Sequence, residues 1–158
     1  MISAQLSSME KEAIENARHK AEELYRTGQF LCSEAVFWVA NEYLGHSVPD
    51  EMVRLASGFP VGMGFAGCAC GALTGGVMAL GLKYGRSSPA VETPGMFAAS
   101  KELHDRFRAR RKIACCRVLT RKFTLGAPEH IEQCTTITGE VAADVIEILA
   151  RNDFPPQR

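Results

Sequence analysis

From Pro60 to Leu82 the chain runs for about 23 residues without a charge, and seven glycines interrupt that stretch. Glycine removes the steric bar to positive φ and lets other atoms come close to the backbone. Up to Gly67 the glycines crowd behind Pro60, which predicts an irregular loop. From Cys70 to Lys83 the spacing predicts a helix, with Leu73, Val77, Leu80 and Tyr84 on one face. Gly71, Gly75 and Gly76 leave another face of it almost bare. Cys70 then stands in the first turn, where unpaired amides and the positive end of the helix dipole favour a thiolate. Length alone would allow a membrane span. Glycine and proline break the front half, however, and no Trp or Tyr belt frames it. The expected structure is a buried helix and no membrane span.

The remainder of the chain reads as helices around this one. Ser7 and Glu10 have capping-box spacing. Ile14, Ala17, Ala21, Leu24 and Tyr25 then recur at helical intervals until Gly28, so residues 1–28 form an N-terminal amphipathic segment. Ser33 is placed to cap a helix from Glu34 to Leu44, and Pro49 opens a short helix from Asp50 to Ala56. A polar helix is expected from Pro94 or Gly95 towards Arg110, and a last one carries Val141, Ala142, Val145, Ile146 and Leu149 as its buried stripe. No alternating pattern of useful length suggests a strand. The expected fold is all-α, a compact bundle of five to seven helices around the central Gly-rich helix. It forms a single domain over 1–158, with the cysteine-bearing core in 29–151.

At 46% hydrophobic and 23% charged residues the composition is that of a soluble globular protein. A formal net charge of zero gives no global pull towards nucleic acid. The basic run from Arg106 to Lys122 is either a solvated helix face or a charge partner for nearby thiolates. The N-terminus has no apolar signal core, so a cytoplasmic setting is expected, where disulfide staples are unusual. Six cysteines in such a chain point instead to metal ligation or redox chemistry.

The cysteines fall in four regions: Cys32, Cys68 with Cys70, Cys115 with Cys116, and Cys134. No Cys-x-x-Cys pair gives a local zinc or thioredoxin-type signature. Adjacent helical residues point about 100° apart, so only one of Cys115 and Cys116 can face a shared centre. Wide spacing leaves two readings open, four thiols converging in a bundle core or four small buried side chains. His130, four residues before Cys134, is the one histidine placed near such a site. Neither a Ser-His-Asp order nor a phosphate loop nor a carboxylate pair stands out, and no catalytic residue is assigned.

The run Cys70-Gly71-Ala72-Leu73-Thr74-Gly75, with Cys32 upstream and Cys116 and Cys134 downstream, resembles the family C_GCAxxG_C_C from about Gln29 to Leu149. Its members are small redox-active proteins with four characteristic cysteines. Read literally from Gly67 the motif fails at Ala72, so Cys70 is the matching cysteine, and Cys68 and Cys115 are extra thiols. The chain is also similar to the cluster domain of split-Soret-type cytochromes c. That similarity implies an iron–sulfur cluster, [2Fe–2S] in type, held by Cys32, Cys70, Cys116 and Cys134. Gly67 and Gly71 would let the backbone approach it. The function implied is electron transfer with a redox partner protein. Two alternatives stand beside it. One is a thiol–disulfide redox protein or sensor pairing Cys70 with Cys116 or Cys68; the other is a zinc-binding structural module. A homodimer is expected from the bare glycine face and the long first helix, and nucleic acid is not an expected partner.

Overall fold

The computed structural model describes residues 5–155; residues 1–4 and 156–158, at the two ends of the expected domain, lie outside it. Among the described residues every regular element is helical. Five helices are twelve residues or longer: α1 (Ser8–Arg26), α2 (Cys32–Tyr43), α4 (Gly71–Tyr84), α5 (Pro94–Arg111) and α7 (Pro128–Arg151). A 3-10 helix (Asp50–Ala56) and two four-residue turns, α3 (Pro60–Met63) and α6 (Cys116–Leu119), lie between them.

Local chemistry sets several boundaries. The Glu10 amide donates to Ser7 Oγ at 3.2 Å and the Ser7 amide to the Glu10 carboxylate at 2.7 Å, the reciprocal cap expected of that spacing. Proline at N1 opens α5 and α7, where its missing N–H costs nothing. The second helix departs from expectation. It begins at Cys32, and the Glu34 carboxylate takes the Leu31 amide at 2.8 Å. Ser33 lies inside the first turn and donates to the Ala56 carbonyl at 2.8 Å, which ties α2 to the end of the 3-10 helix. A tertiary acceptor has outbid the local cap.

The core lies where α4 and α7 meet their neighbours. α4 packs on α2, α5 and α7, while α7 also covers α1. Leu80, Leu103, Phe107 and Ile146 are fully buried there, each contributing about 1.5–3 kcal/mol of transfer free energy. The glycine face of α4 is not free for a partner. A Cβ at Gly75 would stand 2.5 Å from the Ser33 Cα, and one at Gly76 would stand 2.8 Å from Leu103 Cδ2. The bare face therefore lets α2 and the α5–α7 pair close onto α4. The apolar face of α1, Ile14, Ala17, Ala21 and Leu24, is likewise buried within the chain, against α7 and α2. Both surfaces that suggested a homodimer are thus occupied internally.

Three residues of the basic run pair with α7, while Arg108, Lys112, Arg117, Arg121 and Lys122 are exposed. Arg106 pairs with Glu147 at 2.9 Å, Arg111 with Glu140 at 2.7 Å, and Arg110 with Asp144. These pairs fasten α5 to α7. Among the described residues no helix is long and apolar enough to cross a membrane.

Candidate functional site: a four-cysteine chamber

The irregular loop before α4 has an unusual backbone. Val61, Gly62, Met63, Gly64 and Phe65 all take φ between 55° and 71°. For the three residues with side chains this left-handed conformation costs about 1–2 kcal/mol each. Hydrogen bonds from the Met63 amide to the Phe59 carbonyl (2.8 Å), from the Gly64 amide to the Pro60 carbonyl (3.0 Å) and from the Gly67 amide to the Gly62 carbonyl (2.9 Å) hold the turn together. Gly62 is required there, since a Cβ would collide with the Cys68 amide nitrogen. Val61 and Pro60 from this loop form one wall of a cavity of about 50 Å³.

Cys32, Cys70, Cys116 and Cys134 all line that cavity. Cys32 and Cys116 are the first residues of α2 and α6, Cys70 is the N-cap of α4, and Cys134 lies in the second turn of α7. The last helix thus begins before Cys134, which its apolar stripe alone did not reveal. Gly71 lines the cavity too, and a Cβ there would stand 2.6 Å from the Cys32 sulfur. Gly67 is elsewhere. Its carbonyl accepts the Arg117 amide at 2.9 Å, and a Cβ on it would meet the Arg117 Cβ at 2.9 Å. It brings two chain segments together and does not line the cavity.

The other two cysteines are joined as a Cys68–Cys115 disulfide, with their Cα atoms 4.4 Å apart. They are therefore not spare thiols. Cys70 and Cys116 are both free, so the expected pairing of Cys70 with Cys116 or Cys68 is not the one formed. Of the adjacent pair, Cys115 turns to the disulfide and Cys116 to the chamber.

Burial dominates the electrostatics. It raises the pKa of all four free thiols, and neighbouring thiolates push Cys32, Cys70 and Cys134 up further. Cys70 is pushed up to about 11. The amides of Leu73 and Ala72 pull in the opposite direction, although neither makes a full capping hydrogen bond. The thiolate expected at Cys70 from the helix dipole is thus overruled by desolvation. A bound cation would reverse this, because a metal deprotonates the thiols that ligate it.

Cys134 has two polar neighbours. His130 is buried, and its Nδ1 accepts the Gly126 amide at 3.2 Å. That acceptor role places the ring proton on Nε2, which faces the Cys134 sulfur at 3.6 Å. Burial lowers the His130 pKa, which favours this neutral form. Tyr25 lines the same cavity, and its hydroxyl favours the Cys134 thiolate. Arg111 adds a smaller favourable charge. Tyr25 was legible in the sequence only as part of the first helix's apolar face, because a phenol at helical spacing reads as core.

The donor set suits a cysteine-ligated cluster: four thiols from four separate elements line one cavity, with glycine where a side chain would fill it. Among the described residues no group of three or more His, Cys, Asp or Glu side chains is placed to hold a metal ion.

An all-α bundle with four free cysteines lining one internal cavity is the class of protein that these observations define. Residues 30–148 match the family model described as "Putative redox-active protein (C_GCAxxG_C_C)", and the chain belongs to that family. No curated protein matches the chain, and neither does any solved structure.

Proposed function

We propose that the chain transfers electrons through an iron–sulfur cluster held by Cys32, Cys70, Cys116 and Cys134. The observation that carries this reading is the sorting of the six cysteines. The four that match the family motif line one cavity, and the remaining two are bonded to each other outside it. When bound, a [2Fe–2S] cluster supplies a one-electron couple whose potential depends on hydrogen bonds to sulfur and on exposure. The chain's own residues would do the rest. Gly71 leaves room beside the Cys32 sulfur, and the Leu73 and Ala72 amides favour negative charge on Cys70. His130 directs a donor at Cys134, the Tyr25 hydroxyl favours its thiolate, and Ile137 and Pro60 help to exclude water.

A zinc-binding structural module held by the same four cysteines is the alternative reading. A redox partner protein, or a second copy of the chain, would dock at the mouth of the chamber. Leu31 and Leu125 line the cavity and remain exposed there, at 49% and 50%. A cytoplasmic setting belongs to the same proposal.

Protein purified without oxygen, or reconstituted with iron and sulfide, tests the reading. Visible absorption together with equimolar iron and acid-labile sulfide supports it. Colourless protein that takes up zinc but no iron or sulfide overturns it.

A further inference from the structure

The Cys68–Cys115 disulfide has no part in holding a group in the chamber, yet its position is specific. Cys115 is adjacent to Cys116, and Cys68 lies two residues before Cys70. Two backbone hydrogen bonds flank the bridge, from the Cys70 amide to the Ala114 carbonyl at 2.7 Å and from the Arg117 amide to the Gly67 carbonyl at 2.9 Å. The disulfide therefore clamps the segment bearing Cys70 to the segment bearing Cys116. It also anchors the end of the left-handed run from Val61 to Phe65, whose Met63 and Phe65 are exposed. Cys68 is exposed and Cys115 half-buried, so a reductant in solvent can reach the bridge.

We propose that Cys68–Cys115 is a second redox site, a two-electron couple reduced by an external dithiol, and that its state sets how firmly Cys70 and Cys116 are held against the chamber. In the reduction, a thiolate of the dithiol attacks the exposed Cys68 sulfur. The Cys68–Cys115 bond breaks, and Cys115 leaves as a thiolate and takes one proton. The second thiol of the reagent, once deprotonated, attacks the mixed disulfide. Cys68 leaves and takes the other proton, and the reagent departs as its own disulfide. Two electrons and two protons have passed to the chain.

With the bridge open, only the two backbone bonds join the segments, and the left-handed run loses its covalent anchor. Cys32 and Cys134 stand on α2 and α7, fixed by the core, and are unaffected. The couple itself does not depend on what the chamber holds; only its effect on Cys70 and Cys116 rests on the four cysteines sharing one chamber.

The test uses the full chain, prepared free of metal and natively folded. It is treated with or without dithiothreitol, desalted, and labelled with iodoacetamide over time before peptide mass spectrometry. Without dithiothreitol, Cys68 and Cys115 stay unlabelled. After it, both are labelled, and labelling of Cys70 and Cys116 speeds up roughly tenfold or more, while Cys32 and Cys134 keep their rates. A Cys68→Ser, Cys115→Ser double variant with parental circular dichroism shows the fast rates under either condition. Bridge cysteines that label without dithiothreitol, or resist it until the chain is unfolded in urea, overturn the couple. Unchanged rates at Cys70 and Cys116 in reduced protein and in the double variant overturn the clamp. All these readouts come from metal-free protein, so they are separate from the iron and sulfide analysis.

Discussion

A Cβ at Gly71 would stand 2.6 Å from the Cys32 sulfur and 3.1 Å from the Phe59 carbonyl oxygen. This close approach joins the first turn of α4 to the start of α2 at the chamber wall. Gly71→Ala should therefore lower stability by about 1–3 kcal/mol, as overpacking of a fixed core does. Gly81, on the same helix, has nothing within 4 Å of its Cβ position. Gly81→Ala should raise stability by about 0.5–1 kcal/mol through helix propensity. Urea midpoints of the two variants check the contrast, and equal shifts would refute the account of Gly71.

His130 separates two roles. Its Nδ1 accepts the amide of the exposed Gly126, and its Nε2 faces Cys134. His130→Phe should cost about 0.5–1.5 kcal/mol, because it removes this hydrogen bond. His130→Asn, whose side-chain oxygen can replace Nδ1, should recover most of that loss in thermal unfolding. An Asn variant as unstable as the Phe variant would show that Gly126 is not the contact that matters.

The α5–α7 interface predicts a pH dependence. The Arg151 guanidinium holds the Glu102 carboxyl below its ordinary range, with Arg106 assisting, and Arg106 does the same for Glu147. A depressed folded-state pKa gives stability that is present above the unfolded value and lost as pH falls through the folded one. Stability measured in urea should therefore fall as pH drops from about 5 towards 3. A Glu102→Gln, Glu147→Gln variant should be less stable at pH 7 and should show a shallower acid decline. An unchanged acid profile would contradict the assignment.

What the sequence revealed and what it hid follow from range. The Ser7–Glu10 cap and the start of α5 at Pro94 are local, and they are legible in a few residues. The four chamber cysteines were identifiable through the motif around Cys70. The Ser33 hydroxyl was misassigned because its acceptor, the Ala56 carbonyl, is 23 residues away and only folding brings it near. The bridge between Cys68 and Cys115 spans a separation of 47 and depends on the pairing of two irregular segments, so no spacing rule exposes it. Val61, Met63 and Phe65 gave no warning of left-handed backbone, since residues with a Cβ rarely adopt it. At Cys70 both the dipole and the burial of the helix were visible in the sequence, and which of the two prevails was not.

Metal content across three preparations tests the central claim most directly: the parent, Cys70→Ser and Cys68→Ser, each reconstituted with iron and sulfide without oxygen. A serine hydroxyl ionises far less readily than a thiol and is a poor ligand in its place. Cys70→Ser should lose iron and sulfide almost completely. Cys68→Ser, which alters the bridge outside the cavity, should retain a substantial share of both. Equal iron-to-protein ratios for Cys70→Ser and the parent would contradict the four-cysteine site.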